Sequence, residues 1–374
     1  MTSAPPGYSR PTIVGPVDGA AEKSIAATCP GSVVAPWVGD APATHPYWGP
    51  HYRVATGWAT DPEVRFKGSS GGAVTALALH ALARGLVDRV VHVTASAADP
   101  ASNAIAVSTS ARDVIAGAGS RYVSSSPLVD IERVLADGGR AAFIGKPCDV
   151  SALRLLAQSD ARVDAHVPLM LAFFCAGIPS RSAVGRVLGE LRVSENELAA
   201  FRYRGDGWPG KARAVTHDGR ISEMTYAQSW GAHLSKEVQF RCKICPDAVG
   251  GVADIACADA WYGGETGYPR FEEMDGRSLI VSRTARGEAL LVDSEEKGDL
   301  ILEGLDIGQI ELMQPGQARR KRLVRGRVAA LKACLQPRPQ MTGLLVEVAS
   351  RRARPVEQIR NFLGSVRRSM ERRP

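Results

Sequence analysis

Long hydrophobic runs are missing from this chain of 374 residues. No apolar stretch reaches the ~18 residues that a membrane-crossing helix needs. The opening residues, Met1 to Gly7, lack the basic-then-apolar pattern of a secretory leader, so a cytoplasmic protein is expected. No histidine stands in a ligand or triad pattern, and His80 and His92 read as packing or surface residues. There is no G-x-S-x-G anchor for a Ser/His/Asp hydrolase, no G-x-G-x-x-G, no Walker loop and no internal repeat. Cysteines number seven, an odd count scattered through a large chain, which argues against a disulfide framework and for metal ligation or catalysis.

What is present is the composition of an ordinary globular protein, long enough for two domains or one large core. The net charge of +7 is concentrated near the end, in Gln317 to Arg327, Arg351 to Arg354, Arg367, Arg368, Arg372 and Arg373. Such a run reads as a solvated helical tail or, more sharply, as a landing surface for an acidic electron carrier. Nucleic acid is a weaker candidate, because no recognised binding motif accompanies the charge.

Residues 1–47 are rich in Pro and Gly and read as an extended arm. Residues 48–200 alternate helix and strand. Gly68-Ser-Ser-Gly-Gly72 leads into an Ala/Leu-rich helix that Ser69 or Ser70 could cap and Gly85 could end. Strands are expected at Leu86 to Thr94, Arg140 to Gly145 and Val167 to Cys175, with a helix at Val150 to Gln158. This alternation predicts an α/β fold, with a mainly parallel or mixed sheet flanked by helices and ligands bound at the C-terminal strand ends. Residues 201–300 turn loop-rich, with short strands, and residues 301–374 are helical and basic.

Chemistry is most visible in Cys242-Lys-Ile-Cys-Pro-Asp247. Two thiolates at this spacing can share one metal, and Cys148 and Cys175 stand in similar Gly/Pro-flanked turns. Four thiolates suit zinc or an iron–sulfur cluster. With only one local pair, a cluster fits better than zinc, although unconnected buried cysteines remain open. Cys257 reads as core, Cys334 lacks partners, and Cys29 has no companions before it. The Ser69-Ser70-Gly71-Gly72 turn offers backbone N–H groups for a pyrophosphate or is a plain capped helix. Arg65, Lys67 and the Gly119 to Ser126 segment supply cations and hydroxyls. Phe201 to Gly210 alternates Arg202 and Arg204 with Tyr203, which suits a planar anionic ligand or an aromatic-clamped turn. Asp254 and Asp259 flank the Cys257 strand as turn residues or as groups that orient a site.

Taken together, these segments resemble the beta-subunit family of coenzyme F-420 (deazaflavin) hydrogenases and dehydrogenases. The resemblance runs in order from Lys67-Gly-Ser-Ser-Gly-Gly72 through Gly119-Ser-Arg-Tyr122, Gly145-Lys-Pro-Cys-Asp149 and Cys175-Ala-Gly-Ile-Pro-Ser180. It continues through Phe201-Arg-Tyr-Arg204, Arg241 to Asp247 and Ala253 to Trp261. It implies an oxidoreductase carrying FAD and one 4Fe–4S cluster, with Cys148, Cys175, Cys242 and Cys245 near the cluster. By the same resemblance the flavin falls to Lys67, Ser69, Ser70, Gly71, Gly72, Ser120, Arg121, Tyr122, Lys146, Arg202 and Arg204. Implied partners are a conjugated organic substrate or deazaflavin coenzyme, and an electron carrier such as ferredoxin or a partner oxidoreductase subunit. A homo-oligomer is compatible with this. The ferredoxin-like segment that many relatives carry ahead of the Ser-Ser-Gly-Gly turn is reduced here to Cys29-Pro30-Gly31. The rival reading is a non-catalytic scaffold stabilised by zinc or a cluster.

Overall fold

The computed structural model describes residues 1–37, 39–263 and 270–371; Arg372 and Arg373 of the basic terminus lie outside the described residues. Its centre is an eight-stranded mixed sheet. Four strands form a parallel block: β2 (Arg89–Ala95), β4 (Ala141–Gly145), β5 (Leu169–Phe173) and β9 (Ile255–Asp259). Antiparallel strands extend it on both sides. β3 (Asn103–Ser108) pairs with β2, while β10 (Ser278–Ser282), β1 (Arg53–Ala59) and β11 (Leu300–Gly304) follow β9. The sheet is thus mixed, and strands from residues 48–200 and from residues 201–300 share it.

Burial on both faces explains the continuous apolar runs. Along β4 and β5, Phe143, Met170 and Ala172 point to one core, and Ala142, Leu169 and Leu171 point to the other. Helices α1 (Ala73–Ala83) and α5 (Ala285–Glu296) cover the second face; α2 (Pro147–Leu156) and α6 (Pro315–Ala333) cover the first. A three-stranded antiparallel sheet, β6 (Leu198–Arg202), β7 (Lys211–Thr216) and β8 (Ile221–Thr225), packs with α3 (Arg181–Glu190) around a separate core. The short α4 (Phe240–Lys243) carries Cys242.

Three expectations change. The N-terminal arm contains a ten-residue helix, Gly19–Thr28, whose N-cap Asp18 accepts from the Ala21 N–H at 2.7 Å. Neither Ser69 nor Ser70 caps α1; the N-cap is Gly72, at φ +77. Cys148 lies inside α2 rather than in a turn before it, because Pro147 occupies the first helical position, where its missing N–H costs nothing.

Candidate functional site

A cavity of about 300 Å³ opens at the C-terminal ends of the parallel strands, where α/β sheets bind ligands. β4 contributes Gly145 and Lys146 just beyond its end, β5 contributes Phe173 to Ile178, and β9 contributes Cys257 to Asp259. The Gly68 to Gly72 turn and the start of α1 form one wall, and Gly117 to Val123 form another.

The glycine turn is shaped first by its own fold. A Cβ on Gly72 would stand 2.7 Å from the Val64 carbonyl oxygen, and its positive φ disfavours any L side chain. The Ser70 hydroxyl donates to the Arg277 carbonyl at 2.8 Å, and Ser278 Oγ accepts from the Gly71 N–H at 3.0 Å. Ser69 Oγ accepts from the Ser120 N–H at 2.5 Å, tying the two walls together. Because no side chain caps α1, its first N–H groups remain for a ligand at the cavity wall.

The cations differ in their freedom. Arg121 donates to Asn103 Oδ1 (2.6 Å) and to the carbonyls of Pro100 (2.7 Å) and Ser102 (2.8 Å), which makes it a half-buried strut. Arg204 is buried and forks onto Asp259 at 2.7 and 2.6 Å. Its guanidinium also lies 4.7 Å from the Tyr226 ring centre and 4.8 Å from that of Trp261. Burial opposes its charge, but Asp259 outweighs burial and holds the guanidinium above its ordinary range. Arg202 donates to the Lys67 carbonyl at 2.7 Å and pairs with Asp206 at 3.1 Å; Lys67 pairs with Asp206 at 3.4 Å. Lys67, Gly71 and Arg202 do not line the cavity, whereas Ser69, Ser70, Gly72, Ser120, Arg121, Tyr122, Lys146 and Arg204 do. Lys146 is buried, 2.7 Å from Asp149 and 2.9 Å from Ser125 Oγ. Burial lowers its pKa, and Asp149 and the neighbouring Cys148 raise it by more, so it stays charged.

Burial is the main influence on the thiols of Cys148, Cys175 and Cys245. Burial first, then Cys242, push the Cys175 thiol up to about 12, against the pull of Arg320. Burial and Asp149 raise Cys148, with Cys175 and Cys245 adding to the shift. Cys245 rises through burial, opposed by Arg241 and helped by Asp247 and Cys242. Among the described residues no three His, Cys, Asp or Glu side chains are gathered closely enough to hold a metal ion as they stand.

Helix α6 clamps the loops that carry these thiols. Arg320 donates to the carbonyls of Cys175 (2.9 Å) and Ala176 (2.5 Å), Lys321 to Pro246 (2.5 Å) and Arg327 to Lys243 (2.5 Å). The arginine-rich run is therefore helical, and it is only partly a solvated tail: Gln317, Arg320, Lys321 and Arg327 turn inward, whereas Arg319 and Arg325 stay exposed. Asp247 is buried and accepts from the Gly251 N–H at 3.0 Å, fixing the turn after Cys245.

Residues 54–132 match the family model for the coenzyme F420 hydrogenase/dehydrogenase beta subunit N-terminal part, and residues 138–307 match the one for its C-terminal part. The chain belongs to this beta-subunit family. It is 28% identical over 294 residues to the coenzyme F420 hydrogenase subunit beta of Methanococcus voltae, covering 73% of this chain and 94% of that one. It is 27% identical over 241 residues to the F420-dependent formate dehydrogenase 1 subunit beta of Methanococcus maripaludis, covering 64% of this chain and 58% of that protein's length. A solved structure of the F420-reducing NiFe hydrogenase complex from Methanosarcina barkeri contains a chain with the same fold. Its TM-score is 0.58 at 22% identity, covering 76% of this chain and 95% of that one.

Several residues that line the cavity carry no signal in their own segment. Tyr226 and Trp230 come from the π-helical turn Ala227–His233 and the residue before it, and Trp261 follows β9. Gln317 lines the cavity, donates to the Cys175 carbonyl at 3.1 Å, and keeps a buried Oε1 without a partner. His92 also lines the cavity and bonds Ser108 Oγ at 2.8 Å. Asp259, one of two alternatives before, is now the anchor of Arg204 and of Trp208 Nε1 at 3.0 Å. Asp254 holds Arg154 at 3.0 Å and the Met170 N–H at 2.8 Å. Cys257 is core as expected and also forms part of the cavity wall.

Proposed function

We propose that this beta-subunit homologue is a flavin- and iron–sulfur-dependent oxidoreductase, with FAD in the strand-end cavity and a 4Fe–4S cluster held by Cys148, Cys175, Cys242 and Cys245. The carrying observation is that Cys175 belongs to both places: it lines the cavity, and its turn is pressed on the C-x-x-C segment where Gly177 packs against Cys242. The donor set fits a cluster, being four thiols beside the half-buried guanidinium groups of Arg320 and Arg327, which offset negative charge. The cavity fits a flavin in three respects. The uncapped start of α1 suits a pyrophosphate, Tyr122, Tyr226, Trp230 and Trp261 suit a planar ring, and the unpartnered Gln317 Oε1 suits an N–H donor.

When bound, these groups would supply one-electron transfer at the cluster and two-electron, hydride-type chemistry at the flavin. The chain's own part is to bind, orient and exclude water. Ser69 and Ser120 fix the walls, Asp259 keeps Arg204 and Trp208 in place, and Lys146 holds positive charge at the end of β4. The substrate would be a conjugated organic molecule or a deazaflavin-like coenzyme, and a separate carrier such as ferredoxin or a partner subunit would exchange electrons in a cytoplasmic setting. Anaerobic purification followed by iron and flavin analysis tests this reading: brown protein is expected, with about four irons and one flavin per chain.

The rival reading is a non-catalytic zinc- or cluster-stabilised scaffold subunit of a larger assembly. Bleaching of a bound flavin by a chemical reductant separates the two.

A further inference from the structure

The helix that closes the described chain, α7 (Pro355–Met370), packs inward through polar groups. Gln358 Nε2 donates to the Arg322 carbonyl at 2.8 Å, Asn361 Oδ1 accepts from Arg327 at 3.0 and 3.2 Å, and Ser365 is fully buried. Its outward face is apolar. Val356, Ile359, Leu363 and Met370 are 67, 59, 59 and 76% exposed, and their spacing places them in one stripe. Arg360 and Arg367 are exposed beside that stripe, and Arg351, Arg352 and Arg354 are exposed just before the helix. Among the described residues Arg367 pairs with Glu371 at 3.0 Å on the same surface, a contact too exposed to neutralise it.

We propose that α7 docks the protein on an anionic lipid surface, with the stripe entering the boundary between headgroups and acyl chains and the arginines facing phosphate groups. A helix of this kind, with one apolar face, low mean hydropathy and arginines alongside, lies in the plane of a membrane rather than across it. That agrees with the lack, among the described residues, of any helix long and apolar enough to cross one. Charge complementarity favours acidic phospholipid, since a cluster of four or more arginines at an amphipathic helix is the pattern such headgroups attract. A second copy of the chain is the poorer occupant: it would bring the same arginines together, and four aliphatic side chains fall short of the ~800 Å² per partner of a stable interface.

Sedimentation of the full chain with vesicles tests the proposal. The protein is expected to pellet with vesicles of phosphatidylglycerol and phosphatidylcholine, less so as salt rises, and not with phosphatidylcholine alone. Ile359→Gln with Leu363→Gln should weaken that binding roughly tenfold or more and leave the thermal midpoint unchanged, because both positions are exposed. Arg360→Gln with Arg367→Gln should weaken it while flattening its salt dependence. Protein that stays in solution with both vesicle types overturns the proposal, as does a Gln pair that pellets like the parent chain. A dimer in sedimentation velocity that the Ile359/Leu363 pair dissolves, without vesicle binding, gives the stripe to a second copy and also overturns it.

Discussion

Gly177 is pressed against Cys242: a Cβ built on Gly177 would stand 3.1 Å from the Cys242 Cβ and would collide with Val238 Cγ1. This contact joins the Cys175-Ala-Gly turn to the C-x-x-C segment, and Gly177 adopts φ +111, where an L side chain is strained. Gly177→Ala is therefore expected to push the two thiol-bearing segments apart. Iron content measured after anaerobic purification should fall well below that of the parent chain, with a lower thermal midpoint.

The Arg204–Asp259 pair yields a stability prediction. Asp259→Asn leaves a buried guanidinium without its carboxylate and loosens Trp208. Breaking a buried pair in this way costs about 3–5 kcal/mol. Urea unfolding should show a lower midpoint at an unchanged slope. Equal midpoints would mean that the aromatic rings of Tyr226 and Trp261 hold Arg204 without help.

His92 sets a pH dependence. Burial lowers its pKa below the ordinary 6.5, and Asp113 offsets this only in part. The unfolded chain therefore takes up a proton near pH 6.5 that the folded imidazole refuses, so stability falls as pH drops through that value. His92→Phe should flatten this part of the curve in thermal scans between about pH 5 and 7; an unchanged slope would assign the loss to other groups.

Gln317 links the cavity to Cys175. Gln317→Leu removes both its bond to the Cys175 carbonyl and its unpartnered acceptor. Flavin retention, read by absorbance after gel filtration, should drop roughly tenfold in affinity, the worth of about one polar contact to a bound group. Retention equal to the parent chain would show that Gln317 Oε1 faces no ligand.

Much of this architecture was legible along the chain, and the rest fails to appear there for physical reasons. The parallel block announces itself in Ala141 to Gly145 and Leu169 to Phe173, because strands buried on both faces must be apolar throughout. β1 and β10 pair with each other across more than two hundred positions, and no local pattern records such a partner. α2 begins earlier than expected because Pro147 looks like a turn residue and serves as a helix start. The cysteine, serine and glycine motifs stood out because each is unusual in its own segment. Tyr226, Trp230, Trp261 and Gln317 did not, since only the fold brings their segments to one cavity. Arg204 was visible as a candidate, but its partner Asp259 could be assigned only once both were placed.

The most direct measurement compares iron and flavin in the parent chain, Cys148→Ala, Cys257→Ala and Cys334→Ala, all purified without oxygen. The account predicts about four irons and one flavin in the parent chain, most of the iron lost in Cys148→Ala, and iron retained in the other two. Colourless parent protein carrying only zinc, or a Cys148→Ala variant with its full iron, would contradict it.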